Sequence, residues 1–186
     1  EAELEQLLKI PSGTLVAGVN ATTLLTATLM VLKPNLKTDK VGLPAWSFQA
    51  TAHAVIAAGL TPVFLDIYPN SWQLHPQSVE IKNDLGMILT VCPFGDITLM
   101  KAWESFSLES GTPVLIDGAA CLAELIPLQI PVVVSTHATK IFSTGEGGFV
   151  YGLDQSESSH LRSVINFGFQ GQRVSEFVAL HGKMTE

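Results

Sequence analysis

Charge is scarce in this sequence: Asp, Glu, Lys and Arg make up 15% of its 186 residues, against 47% that are hydrophobic. That much apolar material fills one large core but is short for two, so a single domain over residues 1–186 is expected. Basic residues are scarcer still. Ten Lys and Arg against seventeen Asp and Glu leave a net charge of −7, which repels a phosphate backbone and argues against nucleic acid as a partner. Only two cysteines occur, Cys92 and Cys121. Both sit in apolar stretches without CxxC spacing, so they read as buried free thiols of a reducing compartment, not as a disulfide framework or a metal site. Long apolar runs are missing too, because Pro, Gly, His, Asp or Lys interrupts each one short of the ~18–20 residues of a membrane span. The first ten residues, EAELEQLLKI, are acidic where a secretory leader would be basic. A cytoplasmic protein without a membrane partner is expected.

What is present is a regular alternation. Residues 1–9 form an amphipathic helix pattern, with Leu4, Leu7 and Leu8 on one stripe, stopped by Pro11, Ser12 and Gly13. Extended runs follow at Leu15–Val19, Val41–Leu43, Pro62–Ile67, Gly86–Val91, Pro113–Ile116, Pro131–Val134 and Gly147–Tyr151. Helical stretches at Thr22–Leu32, Phe48–Ala58, Leu99–Leu108 and Ser156–Ile165 separate them, with a short helix from Gly118 and with Trp103 and Phe106 turned inward. Runs such as PVVV, TPVLI and TPVFL lack a period of two, so they are apolar on both faces. An α/β fold follows, with a mostly parallel mixed sheet covered by helices on each side. Tyr68 to Asp84, carrying Pro69, Asn70, Pro76 and Asn83, reads as a surface excursion with at most one helical turn.

In such a sheet ligands lie outside the carboxyl ends of the strands, which singles out three segments. Asn20-Ala21-Thr22 ends a strand and opens a helix. Its backbone N–H groups either hold a phosphate or are capped locally by Asn20 or Thr22. Asp117 closes the apolar run VLI before Gly118-Ala119-Ala120. A carboxylate there either caps a helix or needs a cationic partner such as a pyridinium nitrogen. Lys140 follows the buried PVVV run and precedes a turn containing Gly145, Gly147 and Gly148. It is either a surface lysine or an amine placed for imine chemistry.

Taken together, and in this order, the segments resemble the DegT/DnrJ/EryC1/StrS sugar aminotransferases, which share the aspartate aminotransferase-like, fold type I architecture. Ser-Thr-His-Ala-Thr-Lys at 135–140, followed by Thr-Gly-Glu-Gly-Gly at 144–148, looks like the family's lysine motif. The resemblance implies that Lys140 carries pyridoxal 5'-phosphate as a Schiff base and then shuttles the proton. Asp117 would pair with the pyridine nitrogen, and Ser135 would touch the phosphate. Ala21 and Thr22 match the small-residue and threonine pair that cradles the phosphate. Pro44-Ala45-Trp46-Ser47-Phe48-Gln49-Ala50-Thr51 resembles a segment whose second aromatic stacks on the pyridine ring, here Phe48 with Trp46 second. On its residue type alone, Phe48 reads as core.

The resemblance further implies transfer of an amino group from a glutamate-like donor to a nucleotide-linked keto sugar, by a homodimer. It runs from about Val16 to the last residue, so the chain is expected to be a large domain without the family's smaller C-terminal domain. Two positions stand out. Ala120 occupies the place where the family has Gln or His against the ring hydroxyl, and Lys183 occupies the place of a residue that reaches the partner subunit's phosphate. Two alternatives stay open: a non-catalytic relative that keeps the fold, and another reaction of the same cofactor on a sugar, such as dehydration.

Overall fold

A computed structural model of the chain describes residues 1–79, 84–121 and 125–184. The described residues form five α-helices: α1 (Ala2–Leu8), α2 (Ala21–Leu32), α3 (Gln49–Ala57), α4 (Met100–Ser110) and α5 (Gln155–Val164). Seven strands accompany them: β1 (Val16–Gly18), β2 (Lys40–Pro44), β3 (Thr61–Leu65), β4 (Met87–Val91), β5 (Val114–Asp117), β6 (Val132–Ser135) and β7 (Gly148–Tyr151). Where a short helix is expected from Gly118, the described residues begin with a turn, in which the Cys121 N–H donates to the Gly118 carbonyl at 2.9 Å. Its continuation through 122–124 lies outside the described residues. Among the described residues the excursion after Tyr68 carries one 3-10 turn, Pro76–Ser78, and Asn83 also falls outside them.

The strands form one sheet in the order β1-β7-β6-β5-β4-β2-β3. Pairs β2–β3, β2–β4, β4–β5 and β5–β6 are parallel, while β7 runs antiparallel to both neighbours. The fold is therefore the mostly parallel, helix-covered α/β sheet that the uninterrupted apolar runs predict.

Successive side chains of a strand point to opposite faces, and here they sort into two cores. Leu89, Leu115, Val133 and Val150 join Leu24, Leu25, Val55 and Leu161 of α2, α3 and α5 on one face. Ile88, Ile116, Val134 and Tyr151 join Leu8, Met100 and Trp103 of α1 and α4 on the other. Phe106 packs partly buried against the second core. Both faces being dry is why these strands need no polar alternation. Among the described residues no helix is long and apolar enough to cross a membrane.

Two expectations fail locally. TPVFL is not covered on both sides, because β3 is an edge strand and Phe64 is 59% exposed. In α1, Leu7 is exposed and Glu5 is buried instead. The Glu5 carboxylate accepts the N–H groups of Gly13 at 2.8 Å and Leu15 at 3.0 Å, so it satisfies a loop that passes over the core.

Candidate active site

Because β1, β2, β4, β5 and β6 point the same way, the residues that leave their carboxyl ends collect along one edge of the sheet. They enclose a cavity of about 830 Å3. Ala21, Thr22, Phe48, Asp117, Ser135 and Lys140 all line it, although they come from four separate stretches of chain. Lys140 is the only lysine among the described lining residues. Ala120 lines the cavity as well, whereas Lys183 does not. Lys183 is exposed beside Gly182, whose carbonyl accepts the Val19 N–H at 2.8 Å.

At the start of α2, the Asn20 side chain accepts the Thr23 N–H at 2.8 Å. Capping by Asn20 is thus real, but it uses only one of the free donors at this end. The N–H groups of Ala21 and Thr22 meet no acceptor among the described residues, and both residues line the cavity. The helix can come this close because Gly148 of β7 has no side chain. A Cβ there would stand 3.1 Å from the Ala21 nitrogen and 2.6 Å from the Val134 carbonyl oxygen.

Asp117 faces the α2–α3 side of the sheet, as its alternation with Leu115 requires, and is 5% exposed. It accepts the Thr51 hydroxyl at 2.8 Å and the Ala119 N–H at 3.2 Å, so it closes a turn and caps no described helix. Burial pushes its carboxyl above the ordinary carboxylate range, against the opposing pull of the Thr51 hydroxyl, the Ala119 N–H and the charge of Lys140. Such a group is under-compensated, and a cation brought against it would be held strongly.

Lys140 stands half-buried on the hairpin that joins β6 to β7. Ser135, at the end of β6, is buried and accepts the His137 N–H at 3.2 Å. Phe48 is not core: it is 79% exposed and forms cavity wall. Trp46 packs against Trp72 and Phe94 at centroid separations of 5.0 and 5.6 Å. Trp72 and Phe94 are both held at left-handed φ, an uncommon backbone state for bulky residues. Cys92, on the cavity floor, and Cys121 are free and buried. The neighbouring Cys121 thiol, together with burial, raises the Cys92 thiol.

The sequence profile of the DegT/DnrJ/EryC1/StrS aminotransferase family matches residues 1–186. The chain belongs to this family. Protein Rv3402c of Mycobacterium tuberculosis is 30% identical over 157 residues, 77% of this chain and 38% of that protein. The dTDP-4-amino-4,6-dideoxy-D-glucose transaminase of Shigella dysenteriae is 28% identical over 149 residues, 76% of this chain and 41% of the transaminase. Among solved structures, DesI in the presence of its TDP-sugar product superposes with a TM-score of 0.82 at 28% identity, covering 99% of this chain and 48% of DesI. The chain thus spans less than half the length of each of these three proteins.

Within this DegT/DnrJ/EryC1/StrS chain, three lining or supporting residues escaped the reading of the sequence. Thr51 closes the segment that resembles the family's aromatic stretch, but its bond to Asp117 spans 66 positions. His137 and Glu146 lie within the lysine motif, yet their mutual contact at 3.3 Å needs the hairpin to fold back. The repeated polar residues around Lys140 were the available signal.

Proposed function

We propose that this chain is the cofactor-binding part of a cytoplasmic, homodimeric aminotransferase. It uses pyridoxal 5'-phosphate to move an amino group from a glutamate-like donor to a keto sugar carried on a nucleotide. One observation carries the reading: a buried, under-compensated carboxylate and the cavity's lysine face the same pocket, at whose rim a helix start offers free N–H groups.

The residues suit that cofactor. The N–H groups of Ala21 and Thr22, with the hydroxyls of Thr22 and Ser135, offer donors for a phosphate. Asp117 would keep a pyridine nitrogen protonated, and that cation would supply the compensation the carboxylate lacks. Phe48 offers an exposed ring face for stacking and for excluding water. Lys140 would take the aldehyde and afterwards hold and return the migrating proton at its Nζ. When bound, the cofactor supplies an electron sink. The nucleotide-sugar substrate is suggested by what the Shigella transaminase and DesI are named for, and the dimer by exposed apolar residues such as Phe48, Phe94 and Ile141.

The test is an absorbance spectrum with pyridoxal phosphate, before and after glutamate, on wild type and Lys140→Ala. Wild type should acquire the visible band of a lysine-bound aldehyde and lose it with glutamate, and the variant should show neither. A wild type without the band sinks the cofactor reading. A band indifferent to amino donors favours the non-catalytic relative or a different sugar reaction.

A further inference from the structure

The segment that carries Lys140 is held by polar contacts, with little help from the core. Backbone bonds close the base of the hairpin: Thr136 N–H to the Gly147 carbonyl at 3.0 Å, Thr144 N–H to Thr136 at 2.9 Å, and Ala138 N–H to Gly145 at 2.8 Å. Beyond them the tip is exposed, with Ile141 at 87% and Phe142 at 59%. His137 stands where base meets tip. Its carbonyl accepts the Lys140 N–H at 2.9 Å, and its Nδ1 accepts the Thr139 N–H at 3.2 Å and lies 2.9 Å from the Thr139 hydroxyl. Its Nε2 lies 3.3 Å from Glu146 Oε1 on the returning arm.

An imidazole whose Nδ1 accepts a backbone N–H carries the proton of its neutral form on Nε2. That nitrogen is the one nearest Glu146, in a polar contact at 3.3 Å. The side chain of His137 thus caps the turn leading to Lys140 and ties it to the opposite arm of the hairpin. We propose that His137 and Glu146 are positioning residues, a latch that holds the Lys140 amine toward the cavity. The inference rests on Lys140 being the cofactor-bearing amine, and it adds how that amine is aimed. Reaction rates fall steeply when a reacting group is misplaced by an ångström, whereas an exposed pair adds little to global stability. The latch therefore acts on Lys140 more than on the fold.

Three variants separate its parts. Glu146→Gln keeps an acceptor for Nε2–H, while Glu146→Ala removes it. His137→Asn keeps an acceptor near the Thr139 N–H but falls short of Glu146. Two readouts are taken on each folded variant. One is the acetylation of Lys140 relative to exposed Lys37 by acetic anhydride, measured on peptides without cofactor. The other is the growth of the visible band as the Lys140 amine condenses with pyridoxal phosphate and releases one water. Glu146→Ala and His137→Asn should slow the band about tenfold and raise the Lys140:Lys37 acetylation ratio about threefold as the tip opens. Glu146→Gln should stay within about twofold of wild type, because the amide oxygen keeps the polar contact at Nε2. Wild-type values for Glu146→Ala and His137→Asn on both readouts overturn the latch, and so does a Glu146→Gln variant as impaired as Glu146→Ala. If wild type itself shows no band, the cofactor reading fails and the acetylation ratio alone decides the latch.

Discussion

Asp117 and Lys140 face one cavity from opposite kinds of support. Asp117 ends a strand whose every residue is buried, and it is gripped by a hydroxyl from α3 and by the turn that follows it. Lys140 rides a hairpin among exposed Ala138, Thr139 and Ile141, shaped by hydrogen bonds within about ten residues of chain. The carboxylate is therefore placed by the whole sheet at an energetic cost, and the amine is placed by local bonds at little cost. Damage at the first should reach both cofactor and stability, while damage at the second should reach the chemistry alone.

The largest effect that sharpens this contrast is expected from Asp117→Ala. Removing one partner of a buried ion pair costs about 3 kcal/mol or more, so pyridoxal phosphate affinity should fall more than a hundredfold, read by absorbance titration. A loss under threefold would break the assignment. Next comes Thr51→Val, which deletes the hydroxyl that Asp117 accepts. It should cost about 1–3 kcal/mol in urea unfolding of the cofactor-free chain, whereas Thr139→Val on the hairpin should stay within about 0.5 kcal/mol. Equal losses would erase the difference between the two supports.

A pH effect should follow from the same carboxylate. Its folded pKa lies above the unfolded value of about 3.9, so the native state holds the proton longer than the unfolded chain does. The stability it contributes is full below that unfolded value and is lost as pH rises through the folded one. Asp96, whose carboxyl is held down by the Thr98 N–H, works in the opposite sense and weakens the fold on acidification. Asp117→Asn measured beside wild type isolates the first contribution. The two should be equally stable near the unfolded pKa, and the variant should gain as pH climbs toward neutrality. A constant difference across that range would remove the buried carboxylate from the account.

The smallest effect belongs to Phe48→Ala. An exposed ring contributes little to folding, so the unfolding midpoint should hardly move. Loss of its stacking face should weaken pyridoxal phosphate binding by about 1 kcal/mol. A large loss of stability instead would mean that Phe48 is core after all.

Much of this site was legible because its residues follow strands directly. The apolar runs VLI and VVV announce strands, and what comes next, Asp117 or Ser135 through Lys140, must emerge at the sheet's carboxyl edge. Glycine and proline punctuation placed most elements within a residue or two. Less could be said of Gly118 onward, where three small residues suited a helix start and a turn equally well. In α1 the leucine pattern hid the fact that a loop lay overhead and needed Glu5 more than it needed Leu7.

The order of amino acids by itself determined which segments are strands, which are helices, and which polar groups stand at strand ends, because those depend on neighbours a few residues away. Only the tertiary structure decided that β3 is an edge, that Phe48 is wall and not core, that Thr51 grips Asp117, and that His137 reaches Glu146. Each of these depends on which strand lies beside which and on how a hairpin returns. That is a matter of packing between distant stretches, which local pattern does not encode.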